Sequence, residues 1–244
     1  MPSVDRVQSR LRRLVWLHAE PEQAVERLSR LGFEVASVGA AERFRIAFPE
    51  LSVTVQRGSP RRDGALVAGE ESDARDDDAG GVSRAHPNGV ADVVGIGIAS
   101  VDGERMIREL APMRLEPAGG DEALGARAWI EDTSAPRLIV LEPTTEGRLA
   151  AALARHGEGP VALYLGIVGA VGARLEAALE RPTAWPVGGT ARLIRPERPW
   201  GPFLLVVDNR HTDERYHCSS RTTSSRGRRP PARSGRVRSL GSAG

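Results

Sequence analysis

The sequence has no lysine and a single cysteine, Cys218, among its 244 residues. One thiol excludes an intramolecular disulfide and a clustered-thiolate zinc site, and it fits a reducing, cytoplasmic setting. Long apolar runs are also missing: no stretch approaches the ~20 residues that a membrane-spanning helix needs. Arg6, Arg10, Arg12 and Arg13 stand near the N-terminus, but no apolar segment of the secretory kind follows them. Neither a membrane partner nor secretion is expected. Phosphate-binding loops are absent as well, and Gly95-x-Gly97 lacks the third glycine and the following acid of a dinucleotide fingerprint.

What is present is an ordinary globular composition, 40% hydrophobic and 27% charged. All 34 basic residues are arginine, which with 27 glycines and 17 prolines reflects coding bias rather than function. Their placement is uneven. Residues 209–244 carry nine arginines against Asp213 and Glu214, whereas residues 1–208 hold 25 arginines against 30 acids. The body is mildly acidic and the tail basic. Only Tyr216, Val237 and Leu240 in the tail are sizeable hydrophobes, too few to offset the entropy of ordering, so 209–244 is expected to be disordered. Counterion release would let such a tail touch nucleic acid, but with Tyr216 alone for stacking no specific nucleic-acid role is expected. A second break spans 58–89, where Gly, Pro and the run Asp76, Asp77, Asp78 replace apolar periodicity, and it reads as a flexible linker.

Three segments outside these breaks, roughly 11–57, 91–143 and 160–208, repeat one order of elements. In the first, Leu14 to Leu17 is apolar, Pro21 opens a helix, Val25, Leu28 and Leu31 mark one helical face, and Gly32 ends it. Phe44, Ile46 and Phe48 then alternate with Arg43, Arg45 and Ala47, and Val53 and Val55 with Ser52 and Thr54, both at the period of a strand. The second unit runs from Val93 to Ile98, through a helix with Met106, Ile107 and Leu110, to strands near Leu115, Ala126 to Ile130 and Arg137 to Leu141. A helix over 146–156 links it to the third, which has strands at Val161 to Ile167, Ala184 to Val187, Ala191 to Ile194 and Phe203 to Val207, with a Gly188-Gly189 turn. The fold class is therefore α+β, built of tandem βαβββ modules.

Three stretches carry a resemblance: VVGIGIASVDGERMI at 93–107, LIVLEPTTEGRLAAALARHGEGP at 138–160, and LGFEV at 31–35. They resemble the module opening, the Glu-Pro corner with its inter-module helix, and the strand after the first helix in the vicinal oxygen chelate superfamily, which includes glyoxalase-like, bleomycin-resistance and dioxygenase proteins. The resemblance implies that 91–208 forms one complete two-module domain and that 11–57 is an additional N-terminal module. It also implies a divalent metal held by His or Glu at the positions of Val93, Ile139, Ala162 and Leu205, none of which can ligate. In the N-terminal module the opening position is Arg13, and its closing strand offers Ser52 or Thr54. No metal and no cofactor are therefore expected.

Strand alternation then places Gly95 and Gly97 on the face of Val93, and Tyr164 and Gly166 on the face of Ala162, with Arg137, Leu141, Phe203 and Val207 pointing the same way. The expected binding residues are Tyr164, Arg137, Phe203, Gly95, Gly97 and Gly166, forming a roomy apolar cleft with few polar anchors. Each has a plain structural reading too: a buried tyrosine bonded to backbone, a solvated strand-start arginine. Trp129, Trp185 and Trp200 are core or cleft, which parity does not separate. His18 has no second donor spaced for ligation, and His211, His217 and Cys218 fall in the tail. The reading that follows is a metal-free protein binding a small, partly apolar molecule, with no catalytic residue assigned. The alternative is a lyase, isomerase or dioxygenase whose ligands lie elsewhere. An odd module count means that the N-terminal module either pairs with a second subunit, giving a homodimer, or caps the sheet in cis.

Overall fold

The computed structural model describes residues 11–39, 42–69, 85–111, 113–131 and 136–207. The N-terminal module runs β1 (Arg13–His18), α1 (Pro21–Arg30), β2 (Ala36–Ser37), β3 (Arg43–Ala47) and β4 (Ser52–Arg57), followed by a 3-10 turn at Pro60–Arg62 and β5 (Leu66–Ala68). Pro21 supplies a preset φ where no helical N–H is needed, Pro21, Ala24 and Leu28 form the buried stripe of α1, and Gly32 at φ +85° ends it. The helix crossover sets β1 parallel to β4, and the strands meander back in the order β2-β3-β4-β1-β5. The strand expected at 31–35 lies at 36–37 instead, because Phe33 is buried against the helix end.

The same order recurs twice more. The second module has β6 (Val90–Ala99), α2 (Gly103–Glu109), β7 (Leu115–Asp121), β8 (Ala126–Glu131) and β9 (Arg137–Pro143); α3 (Arg148–His156) follows. The third has β10 (Gly159–Ile167), α4 (Ala173–Ala178), β11 (Thr183–Ala184), β12 (Thr190–Leu193) and β13 (Phe203–Val207). Asp102 caps α2 by accepting the Arg105 N–H at 2.9 Å. Gly188 and Gly189 turn between β11 and β12 with φ of +100° and +82°, which other residues rarely adopt. Opening and closing strands are parallel in both modules, and the two opening strands pair antiparallel, giving one sheet in the order β11-β12-β13-β10-β6-β9-β8-β7.

That sheet curls until its two edges meet: Ala184 on β11 donates its N–H to the Glu122 carboxylate, just past β7, at 3.2 Å. Its inner face holds one core, with Ile139, Leu141, Ala162, Phe203, Leu205 and Val207 beneath Leu149 of α3. A second core joins its outer face, through Ile96, Ile98, Leu163, Leu165 and Val206, to Leu14, Trp16, Leu28, Val53 and Val55 of the N-terminal module. Each such side chain contributes roughly 1.5–3 kcal/mol on burial. The N-terminal module thus packs in cis on the back of the paired modules.

Three further expectations are corrected. Residues 58–69 and 85–89 are not linker: β5 pairs with β1, the His86 Nδ1 accepts the Glu34 N–H at 3.1 Å, and buried Asn88 donates to the Leu31 carbonyl at 3.1 Å. Residues 70–84 and the tail lie outside the described residues. Second, the pairing of Gly95 with Tyr164 and of Val93 with Leu165 leaves Val94 as a bulge, so Val93 joins the outer core and not the face of Gly95 and Gly97. Third, β11 covers only Thr183–Ala184, because Trp185 turns inward to the core. Among the described residues no helix is long and apolar enough to cross a membrane.

Candidate functional site

Tyr164, Phe203, Arg137, Gly95, Gly97 and Gly166 do come together on the inner face of the curled sheet, where the register sets Gly95 beside both Arg137 and Tyr164, and Ala162 beside Phe203. The roomy floor expected there is absent. A Cβ on Gly97 would stand 2.8 Å from Leu141 Cδ1 and 2.9 Å from Ala162 Cβ, and one on Gly95 would stand 2.9 Å from Ile139 Cδ1. Leucine, isoleucine and tyrosine side chains fill the space that the glycines leave, so these glycines serve close packing. Tyr164 and Phe203 are wholly buried, and Arg137 is nearly so.

The polar partner of Tyr164 is one that strand parity did not reveal. Its hydroxyl donates to Asp121 Oδ2 at 2.5 Å, while Asp121 Oδ1 accepts the Leu124 N–H at 2.9 Å. Burial pushes the Asp121 carboxyl pKa up, against the pull of these hydrogen bonds, and burial together with the neighbouring carboxylate pushes the Tyr164 phenol well above its usual value. Trp185 lies against the ring, centroids 5.8 Å apart. Since Asp121 ends edge strand β7 and Tyr164 sits on central β10, the bond straps the edge of the sheet across its interior. A lone acid at a strand end was the only sequence signal for Asp121.

His18 is buried and serves the seam between modules. Its Nδ1 accepts the Glu20 N–H at 3.0 Å, and its Nε2 lies 3.5 Å from Glu197, which also meets Arg27 at 3.3 Å. His18 first, and then Arg27, holds the Glu197 carboxyl below its ordinary pKa. Trp200 belongs to the same seam, donating Nε1–H to the Asp63 carbonyl at 2.9 Å. Trp129 touches α2, because a Cβ on Gly103 would fall 2.3 Å from its ring.

Open space of ligand size lies elsewhere. A groove of about 560 Å³ runs beside α4, with Ile167, Val171, Leu179 and Val206 as its apolar lining and Thr190, Glu176 and Arg192 as its polar groups. Glu176 and Arg192 form an ion pair at 2.6 Å. The loop before α4 borders the groove, with Gly169 at φ +84° and the neighbouring Val168 67% exposed, a large hydrophobe presented to solvent. Among the described residues no three His, Cys, Asp or Glu side chains gather as a metal would require. The positions that the family resemblance assigns to ligands hold buried Ile139, Ala162 and Leu205 inside and Val93 outside, a set that does not fit a divalent ion.

No protein-family model matches the chain, and no curated protein matches it significantly. Solved structures with a similar fold include methylmalonyl-CoA epimerase from Mycobacterium tuberculosis, 20% identical with a TM-score of 0.43 over 50% of this chain and 90% of that one. A hypothetical protein from Bacillus halodurans C-125 is 17% identical, with a TM-score of 0.39 over 48% and 93% of the two chains. A methylmalonyl-CoA epimerase variant from Streptomyces coelicolor, in complex with 2-nitronate-propionyl-CoA, is 22% identical, with a TM-score of 0.39 over 49% and 97%. Two βαβββ modules are joined through antiparallel opening strands into one curled eight-stranded sheet, with a third module behind it, the architecture that the sequence resemblance implies.

Proposed function

We propose that this protein binds a small, partly apolar molecule without metal chemistry, and that the molecule occupies the groove beside α4 rather than the interior of the sheet. The observation that carries this reading is the contrast in space. The interior is packed to van der Waals contact around Gly95 and Gly97, whereas the groove has about 560 Å³, apolar walls and one ion pair. That volume falls in the usual range for small-molecule sites, about 300–1,000 Å³. Tyr164, Arg137, Phe203 and the interior glycines then hold the shape of the sheet, and Arg192 orients an anionic or hydrogen-bonding end of the ligand by exchanging it for Glu176.

Anilinonaphthalene sulfonate, an apolar ring system with one anionic group, is a suitable probe. Titration of the full chain should give saturable fluorescence enhancement, and Ala170→Trp, which fills the groove from an exposed position, should weaken it at least tenfold, roughly 1.4 kcal/mol, with an unchanged thermal midpoint. Equal enhancement in Ala170→Trp would remove the groove as the site.

A further inference from the structure

One wall of the groove beside α4 hangs from a short turn at 86–90, where the three modules meet. Within that turn His86 donates its N–H to the Val90 carbonyl at 2.7 Å, Gly89 donates back to the His86 carbonyl at 2.8 Å, and Asn88 Oδ1 accepts the Val90 N–H at 3.0 Å. From it, bonds reach two other segments. On the N-terminal module, the Glu34 N–H donates to His86 Nδ1 and the Leu31 carbonyl accepts from Asn88 Nδ2, both at 3.1 Å. On the third module, Val168 and Gly172 donate their N–H groups to the carbonyls of Gly89 and Asn88 at 2.9 and 3.0 Å. Those last two bonds bracket Gly169, Ala170 and Val171, which line the groove. The fit is close, since Gly89 has φ +87° and a Cβ there would stand 2.6 Å from the Ala170 carbonyl oxygen.

His86 is the titratable member of the turn, and its surroundings suit only the neutral ring. It is buried against Phe33 and Phe48, with ring centroids 5.5 and 5.1 Å away. Because Nδ1 accepts, the proton sits on Nε2, which is buried and meets no hydrogen-bond partner among the described residues. A second proton would go to Nδ1, set a donor against the Glu34 N–H, and leave a charge in an apolar setting. Burial holds the His86 pKa below its ordinary value, against the pull of the Glu34 carboxylate. Among the described residues Glu34 is the charged group that acts on His86; Phe33, Phe48, Asn88, Val90 and the loop 168–172 bring none.

We propose that His86 is a proton-operated latch: on gaining a proton it releases the turn 86–90 and the loop 168–172 that hangs from it, and so weakens ligand binding in the groove. The consequence for binding rests on the groove being the ligand site; the latch itself does not. The direction follows from linkage. A histidine charged more readily in the opened state than in the closed one contributes stability above its ordinary value, about 6.5, and that stability is lost as pH falls through the lowered closed-state value.

Hydrogen exchange of the full chain reads the latch directly. Between about pH 7.5 and about pH 5, protection of the Glu34, Val168 and Gly172 amides should fall at least about fivefold relative to the core amides of β10. His86→Asn sets Oδ1 in place of Nδ1, keeps an acceptor for the Glu34 N–H and does not titrate, so it should abolish the fall. His156→Asn removes another half-buried histidine, at the end of α3, and should leave the fall unchanged. Should His86→Asn not fold, as judged by circular dichroism, the onset in the natural sequence decides: a histidine starts the loss below about pH 6.5, a carboxylate only below about pH 4.5. No fall, a fall confined to Glu34, a carboxylate onset, or an equal fall in His86→Asn would overturn the proposal. Over the same pH change the affinity for anilinonaphthalene sulfonate should drop at least about threefold in the natural sequence and hold in His86→Asn. Equal affinity at both pH values would overturn the regulation of the groove. Absence of binding at neutral pH, with the exchange result intact, would instead remove the groove as the ligand site and uphold the latch.

Discussion

The N-terminal sheet and the eight-stranded sheet share one order of elements, and they differ in what their inner faces hold. In the paired modules β6 meets β10 along nearly its whole length, the sheet curls until β7 and β11 touch, and the enclosed face is aliphatic and aromatic. In the N-terminal module β1 has only the three-residue β5 as its outer partner, so among the described residues no second module closes over the sheet, and its inner face carries arginines, hydroxyls and an amide beside buried Val15 and Leu17. Desolvating three guanidiniums in a closed interior would cost several kcal/mol each unless fully paired. Pairing of modules, more than the module itself, decides whether a face becomes an apolar core.

The largest effect that would break this comparison lies at the joint between the sheets. Trp16 is buried between β1 and the outer face of β10, and Trp16→Ala should cost about 3–5 kcal/mol, measured by denaturant unfolding. A loss under about 1 kcal/mol, small for a buried aromatic, would mean that the two sheets do not share a core.

Next in size is the interior. Gly97→Leu should cost about 1–3 kcal/mol through overpacking, because Leu141 and Ala162 already occupy the space that its side chain needs. A variant as stable as the natural sequence would restore an open cleft on the inner face and bring Tyr164 and Arg137 back as ligand contacts.

The smallest effect concerns the Asp121 strap. Its pKa is raised in the folded protein, so the native state holds the proton more tightly than the unfolded chain does. The associated stability is present below the unfolded aspartate value, about 3.9, and is lost as pH climbs through the raised folded value. Asp92, also raised by burial, adds a slope of the same sign, while Glu197, whose pKa is lowered, gives the opposite one. Asp121→Asn keeps one acceptor, for the Leu124 N–H, turns an amide N–H towards the Tyr164 hydroxyl oxygen, removes the titrating group and should flatten this loss when unfolding is followed from acid to neutral pH. An unchanged slope would show that Asp121 titrates normally and that the strap is not desolvated.

Much of the fold was legible along the chain. Alternation at Phe44–Phe48 and Ser52–Val55, the Pro21 start, the Gly32 stop and the Gly188-Gly189 turn all report local backbone preferences, and these set the three βαβββ units. The groove was not legible, because it joins residues of β10, α4, β12 and β13 that share no pattern. Nor was the partnership of Asp121 with Tyr164, 43 residues apart. His86 and Asn88 looked like linker because a polar side chain buried by long-range hydrogen bonds carries no periodicity.

By itself the sequence determined most of the strands and helices and their threefold repeated order, because turn residues and the periods of 2 and 3.6 are local; the parallel pairing of first and last strands in each module came from the structure. It also determined that no donor side chain stands where the resemblance asks for metal ligands. Tertiary structure alone decided which faces are filled. A one-residue bulge at Val94 moved Val93 to the outer core, curling brought β7 to β11, and the cis packing of the third module used up the outer face of β10. A period of two gives only the alternation of faces; which face meets another layer depends on the elements that arrive there from elsewhere in the chain.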